Sequence, residues 1–518
     1  MCGQRPNAYS PWLQAHQRGQ AMVFTLLFGI ATALITLVLF NSGILANTKS
    51  RLQNAADAGA YSAGVLQARD HNFSAYLNRA MVANQVAVVQ IASLKSYLED
   101  AAATRKRMDG AVLSLEALLP DSKPEWEFAE SLPVATTHAA FSAFAGPAVS
   151  GLDALIKAFE VAQEAHHVAT AINMAQVANE AIKRNDPQAQ LTSGAFLVGR
   201  TVLQVHAWGN ATRQHRANDP SAVADRFADV TVSSNSTDGF TRNRPSTPTA
   251  RWRFTEVKPC KLLPNHAYSS TFFAFAHAGG SFLGSDKKRW LSLDATLGGG
   301  FATCTFWYPC WTGICYTTTS WPLIDDDIVG GSGGAVAGRS GGYSDDTGYR
   351  NNPAASDHYG AALISPLTFV PAKMRYEQGP GTSLDTAGGL QNYYRDARDP
   401  TITPADQAPE RNGGAYAVTI EAERTGSTIR TSGKLLPGSD AVQLQDGLRG
   451  DTLRRPSCSC TAAQSYFYRS KSDGAGLTRT GWARSDGKTE VANLFSPYWQ
   501  ARLSDRSVAD RSASWAAQ

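Results

Sequence analysis

From Gly19 to Thr48 the chain carries no charged side chain, and within that run Met22 to Phe40 reads MVFTLLFGIATALITLVLF. A helix needs roughly 20 mostly apolar residues to cross a hydrocarbon core. This segment has that length, no proline, and basic flanks at Arg18, Lys49 and Arg51. A chain with such a run must place it in lipid and arrange the rest on either side. A cleaved signal peptide has a shorter apolar core and a small-residue site soon after it. Here the sequence continues Asn41-Ser42-Gly43-Ile44-Leu45-Ala46-Asn47-Thr48, so the expectation is a retained anchor over residues 19–45.

Charge excludes little beyond one class. Lys and Arg number 48 against 44 Asp and Glu, a small excess over 518 residues that argues against nucleic-acid binding. The cysteines say more. Cys2 precedes the apolar run, and the other six, Cys260, Cys304, Cys310, Cys315, Cys458 and Cys460, follow it. An even set on one side fits disulfides in an oxidising compartment. Free thiols and a zinc site are the alternatives, although the paired spacing that zinc favours is absent. The basic residues on the two flanks nearly balance, so the positive-inside rule decides little. The cysteine split and the short arm at 1–18 point to a cytoplasmic N-terminus and a bulk outside.

After the anchor, apolar or small residues recur at helical spacing: Leu52, Ala56, Gly59, Ala63, Leu66, then Phe73, Leu77, Ala80, then Ala87, Ile91, Leu94, Leu98. There is no proline between Trp12 and Leu119. The pattern predicts one helix, or two with a kink near Asp70-His71-Asn72, because Asp70 and Asn84 interrupt the stripe. Unbroken from Lys49 to Asp109 it would be roughly 90 Å long, which favours a break or a fold-back. Leu52, Ala55, Ala56, Gly59 and Ala63 form a small-residue packing face, for a partner helix or for the chain's own second helix. The charges at Glu99, Asp100, Arg105, Lys106 and Arg107 read as solvated surface. Leu152 to Arg184 and Leu191 to Arg216 predict further helices, making a stalk or bundle over 46–230.

Near Thr231 the composition changes from Ala-rich to Gly, Ser, Thr, Tyr and Trp. Val230 to Pro248 reads as a linker. Strands are predicted at 251–254, 270–275, 301–308, 314–321, 361–370, 415–423 and 464–469, with Gly330 to Gly342 as a glycine-rich loop. The fold class is therefore α+β: one transmembrane helix continuing into a helical stalk, then a β-rich domain with long loops over 231–518.

Local chemistry is sparse. Gly333 to Ser340 misses a phosphate-binding loop because Arg339 replaces the required Lys and neither strand nor helix context is evident. Asp510-Arg511-Ser512-Ala513-Ser514 has the spacing of a metal-dependent adhesion site, but too little chain follows it. Asp325-Asp326-Asp327 reads as an acidic turn and matches no calcium loop. His166 and His167, adjacent on a helix, cannot share a face. Arg251-Trp252-Arg253-Phe254 alternates as a half-buried strand does. No catalytic, metal or cofactor site is expected.

Four stretches carry a family resemblance: Gln17-Arg18-Gly19-Gln20-Ala21, Leu52 to Ala60 (LQNAADAGA), Asn78 to Ala87 (NRAMVANQVA), and Asn493 to Leu503 (NLFSPYWQARL). Together they resemble the TadE/TadG-like membrane proteins of Tad (Flp) pilus assembly. The resemblance implies a single-pass inner-membrane component with its bulk in the periplasm. Its partners would be the other subunits of a pilus or secretion apparatus, with self-association through the helix. Pilin-like members are cut after a Gly that has a Glu at the fifth residue beyond. Gly19 stands at that Gly and Gln20 follows, but the fifth residue is Phe24, so an uncut anchor is expected. The expected role is structural and non-enzymatic. The alternative is a membrane-anchored periplasmic binding or adhesion module that uses the aromatic-rich β half.

Overall fold

The computed structural model of the protein describes residues 12–116, 133–192, 195–215, 225–256, 268–322, 329–338, 348–349, 359–365, 368–373, 382–385, 389–396, 417–425, 457–467 and 492–505. Of the cysteines, Cys2 and Cys260 lie outside these residues, as do the acidic run Asp325-Asp326-Asp327 and the Asp510 to Ser514 segment.

Helix α1 (Trp12–Glu116) runs unbroken for 105 residues, or about 160 Å. The helix is not broken at Asp70-His71-Asn72, so of the two sequence alternatives the chain takes the single helix. Those residues each meet a tertiary partner described below, so the break in apolar periodicity marks contacts rather than a turn. The fold-back comes after Glu116. Helix α2 (Val134–Asn185) returns antiparallel along α1: Lys95 of α1 lies opposite His138, Asn78 opposite Gln163, and Gly59 opposite Ile182. Helix α2 ends with Lys183 and Arg184 in its last turn, favourable for the helix dipole, and Pro187 cannot continue it.

Strand β1 (Ala189–Leu191), helix α3 (Ala195–Ala211) and strand β2 (Thr212–His215) follow. The stretch expected to be a linker instead holds the end of α4 (Arg226–Val232), all of α5 (Gly239–Arg242) and the start of β3 (Asn243–Glu256). Side-chain caps order it: Asp225 accepts from the Phe227 and Ala228 amides, and Asp238 from the Thr241 amide.

The remaining strands are β4 (Tyr268–Leu283), β5 (Arg289–Cys310), β6 (Gly313–Pro322), β7 (Val329–Gly338), β8 (Tyr359–Ser365), β9 (Thr368–Lys373), β10 (Thr382–Asp385), β11 (Tyr393–Asp396), β12 (Val418–Arg424), β13 (Ser457–Phe467) and β14 (Trp499–Ser504). Sheet one is antiparallel in the order β1-β12-β13-β14. Sheet two has the order β10-β7-β5-β4-β3, with β6 also paired to β5 and only β10-β7 parallel. Strands β2 with β11, and β8 with β9, form two-stranded ladders.

Both sheets lie on α1, one after the other. The level of Leu52 to Ala63 packs with Met174, Ala178 and Ile182 of α2 and with Val418, Ile420, Ala422 and Ala463 of sheet one. The level of Met81 to Val89 packs with Val149 and Ile156 of α2 and with Leu283, Trp290 and Ala337 of sheet two.

Residues Gly330 to Gly338, expected to be part of a loop, belong to β7, an inner strand of sheet two. A Cβ on Gly331 would lie on the Asp100 carbonyl oxygen, and one on Gly333 on the Ser96 carbonyl. The glycines let a strand backbone lie directly on the α1 backbone. Asp100, expected at a solvated face, is buried under this strand. Its Oδ2 accepts from Thr296 Oγ1 at 2.6 Å and lies 3.1 Å from His277 Nδ1, whose Nε2 is 3.2 Å from Asp294. Arg244 in turn holds Asp294 with both Nε and Nη2.

Candidate functional site

The function-bearing features are laid out along α1, from the lipid-facing end to the body. Met22 to Phe40 is exposed almost throughout: Phe24 is 71% exposed and Phe28 75%. At about 1.5 Å per residue its length matches a hydrocarbon core of roughly 30 Å. Its hydroxyls are already satisfied. Thr25 donates to the Ala21 carbonyl at 2.7 Å, Thr32 to Phe28 at 2.8 Å, and Thr36 to Thr32 at 2.8 Å. Backbone and side-chain polar groups are thus paired within the segment, as a lipid environment demands. The N-terminal apolar helix fits a membrane anchor. Gly19 and Gln20 lie within α1, just before the exposed run.

The next level is the small-residue face. Leu52, Ala55, Ala56 and Ala63 are buried, and a Cβ on Gly59 would sit 2.8 Å from Ile182 Cγ1. Residues of the same chain fill this face. The polar residues beside it grip sheet one: Gln53 Nε2 donates to Thr461 Oγ1 at 2.7 Å, Gln53 Oε1 accepts from Ser459 Oγ at 2.8 Å, and Asp57 Oδ1 accepts from Thr461. The LQNAAD sequence therefore carries both an apolar seam and a polar clasp.

About two turns further lies a buried node. Asp70 Oδ1 is 2.7 Å from His166 Nδ1, and Oδ2 is 2.7 Å from His167 Nδ1. The two adjacent histidines do converge, contrary to the sequence reading. Successive helical residues diverge by about 100°, but a carboxylate set between them offers one oxygen to each. Burial alone would raise the Asp70 carboxyl; the hydrogen bonds from His166 and His167, with the electrostatic attraction of His167, hold it below its ordinary value. Trp208 Nε1 of α3 donates to His71 Nε2 at 2.9 Å, and the His71 ring meets Trp499 edge-on at 4.3 Å. Ser465 Oγ is 3.4 Å from His71 Nδ1. That serine is buried, and the far nitrogen of the imidazole is held by an indole rather than a carboxylate. The pair lacks both the access and the orienting acid of a nucleophilic site. Among the described residues no group of His, Cys, Asp and Glu is placed to hold a metal.

The last level joins the chain's two ends. Asn72 and Trp499 exchange two hydrogen bonds, and Asn78 Nδ2 donates to the carbonyls of Tyr394 at 2.8 Å and Leu494 at 2.7 Å. Gln163 of α2 donates to Asn78 Oδ1 at 2.7 Å. Asn78 and the Asn493 to Leu503 stretch, both quoted above for a family resemblance, meet here. The sequence signal for this node was present in Asp70 itself, a polar residue in an apolar stripe on a proline-free helix, which needs a buried partner.

The cysteines divide. Cys460 is buried in β13 as a thiol rather than in a disulfide, which corrects the expectation for that residue. Cys310, at the end of β5, is disulfide-bonded. Cys304, Cys315 and Cys458 lie in β5, β6 and β13, and their side chains fall outside the described ones.

An exposed apolar helix running into a body clasped around its continuation fits a membrane-associated protein anchored by its N-terminal helix. Residues 19–70 match the family model described as putative Flp pilus-assembly TadE/G-like. That span contains the anchor, the LQNAAD clasp and Asp70. No curated protein and no solved structure matches the chain.

Proposed function

We propose that this protein is a structural, non-enzymatic component of a Flp-type pilus-assembly or related secretion apparatus. It would sit in the inner membrane with residues 1–18 cytoplasmic and the body periplasmic, as an uncut anchor. The observation that carries this reading is the position of the matched segment. Residues 19–70 are the stem that both enters the membrane and organises the body, so the part resembling pilus-assembly proteins is the part on which the fold depends. The disulfide at Cys310 supports an oxidising compartment for the body.

In this reading the helical stalk over 46–230 and the β-rich part over 231–518 act as one scaffold held at a fixed height above the membrane. Partner subunits meet the exposed span rather than the small-residue face, because residues of α2 and sheet one already occupy that face. The test is cross-linking in native membranes, purification of the full chain, and identification of what is attached. Pilus or secretion subunits joined to the Met22 to Phe40 segment are expected. Recovery of the anchored, folded chain with no such subunit would contradict the proposal.

A further inference from the structure

Helix α2 has a second face that the fold leaves bare. Ile156, Gln163, Met174 and Ala178 turn inward and are buried. On the opposite side Ala158, Val161, Ala165, Val168, Ile172 and Ala175 are exposed. They recur at alternating steps of three and four, the seam spacing of a coiled coil. Ala154 and Gly151 continue the same spacing and are exposed too. Val161 is 64% exposed, Val168 50% and Ile172 71%. The outer face of a surface helix ordinarily carries polar and charged residues, whereas every position of this seam is apolar or glycine.

The anchoring bilayer does not cover the seam. Gly59 lies opposite Ile182 and Asn78 opposite Gln163, so Ala175 stands near the level of Leu66 and Gly151 near that of Gln90. The seam therefore begins about 39 Å along α1 from Phe40, well outside the lipid. From Gly151 to Ala175 it is about 37 Å long, and a second helix laid along it would bury roughly 900 Å² over the two surfaces, the low end for a specific interface. Copies confined to one membrane meet at a high effective concentration, so a seam of this size is enough for them.

Charge and membrane geometry select the same occupant. Copies of the chain anchored in one bilayer stand side by side, each offering this seam at the same height with α2 running the same way. In that parallel pairing each seam residue meets its own counterpart, and the charged residues beside the seam, Lys157 and Glu164, face Ala162 and Ala169 of the second copy. An antiparallel pairing that overlaps the whole seam brings the two Glu164 side chains together instead, a like-charge contact. The small residues let the two helices approach closely along their length. We propose that two copies of this chain in the same membrane pair in parallel through the Gly151 to Ala175 seam of α2. This rests on α1 being an anchor and goes beyond the assembly role. It moves self-association from the small-residue face of α1, which the chain fills with its own residues, to the outer face of α2.

The test places a photo-reactive phenylalanine analogue at Val161, at Val168 and, as a control, at Tyr76, which is exposed on α1 outside the seam. The full chain is irradiated in native membranes. Val161 and Val168 should each give a cross-linked dimer of this chain, with position 168 joined to the stretch around residue 168 of the second copy, and Tyr76 should give none. Val168→Glu puts a charge into the seam and should lower the cross-link from position 161 about tenfold or more. Its circular-dichroism spectrum should be unchanged, because Val168 is exposed in the single chain. Val168→Ile should keep the cross-link. A folded, membrane-bound chain that gives no dimer from either seam position would overturn the proposal. So would cross-links from the seam to a different protein alone, joining of position 168 to the stretch around Ala158, or an equal dimer yield from Tyr76. A chain released from the membrane would overturn the anchor, and the pairing with it.

Discussion

Asn72 and Trp499, 427 residues apart, hold each other by two reciprocal hydrogen bonds: Asn72 Nδ2 donates to the Trp499 carbonyl at 2.8 Å, and the Trp499 amide donates to Asn72 Oδ1 at 2.9 Å. The side-chain amide of a helix residue thereby acts as one more rung on strand β14. It ties the last strand of sheet one to the helix that carries the anchor. Trp499 completes the tie with its indole, which donates to the Asn493 carbonyl at 3.0 Å.

Asn72→Ala removes both bonds and leaves the buried Trp499 backbone groups unpaired. The expected loss is about 2–4 kcal/mol of unfolding free energy, since each unsatisfied group costs about 1–3 kcal/mol. Asn72→Asp keeps the acceptor and loses the donor, so it should fall between the two. Chemical denaturation of the detergent-solubilised chain measures both. Equal stability of Asn72→Ala and the parent would contradict the tie.

Gly333→Ala places a methyl group on the Ser96 carbonyl of α1. Neither backbone can move without parting β7 from the helix, so the variant should lose several kcal/mol, as overpacking of a core does at its upper end. Gly43 is the control, because a Cβ there meets nothing within 4 Å. Gly43→Ala should be neutral or stabilising by about 0.5–1 kcal/mol, the usual helical gain. Thermal melts of the two variants side by side test the contrast.

The sequence shows this fold unevenly, and the reasons are local. The anchor and the small-residue face of Leu52 to Ala63 are legible because apolar periodicity and residue size act along one helix. Strand β7 is not legible, because glycines read as a loop until the α1 backbone beneath them is known. The Asp70 interruption suggests a kink, whereas the interruption is the contact: His166 and His167 come from a helix 96 and 97 residues away. Asp100 reads as surface for the same reason, since its cover, strand β7, lies more than two hundred residues on.

His277 should make stability depend on pH. Burial alone would lower its pKa, but hydrogen bonds to Asp100 and Asp294, with their charges, raise it to about 9 from 6.5. A raised histidine contributes stability that is fully present below the unfolded value and is lost as pH rises through the folded one. The melting temperature should therefore fall between about pH 6.5 and about pH 9, by an amount equivalent to roughly 3 kcal/mol at most. His277→Gln should be less stable at pH 6 and should lose the slope in that window. A slope of the same size in the variant would contradict the assignment.

Leu27 lies in the exposed run. Leu27→Asp should cost about 3 kcal/mol of insertion free energy, or more at the centre of the span. Carbonate extraction of membranes should release part of the variant, while the parent stays in the pellet. The body does not touch this position and should fold as before, so near-ultraviolet circular dichroism should be unchanged.

The central claim is that one straight helix carries the body from the membrane, with no hinge at Asp70. It is tested most directly by spin labels at Tyr61 and Tyr97, both partly exposed on α1. Thirty-six helical residues separate them, which predicts a single narrow distance near 54 Å in the full chain in nanodiscs. A broad distribution, or a main distance below about 45 Å, would mean that the helix bends or breaks.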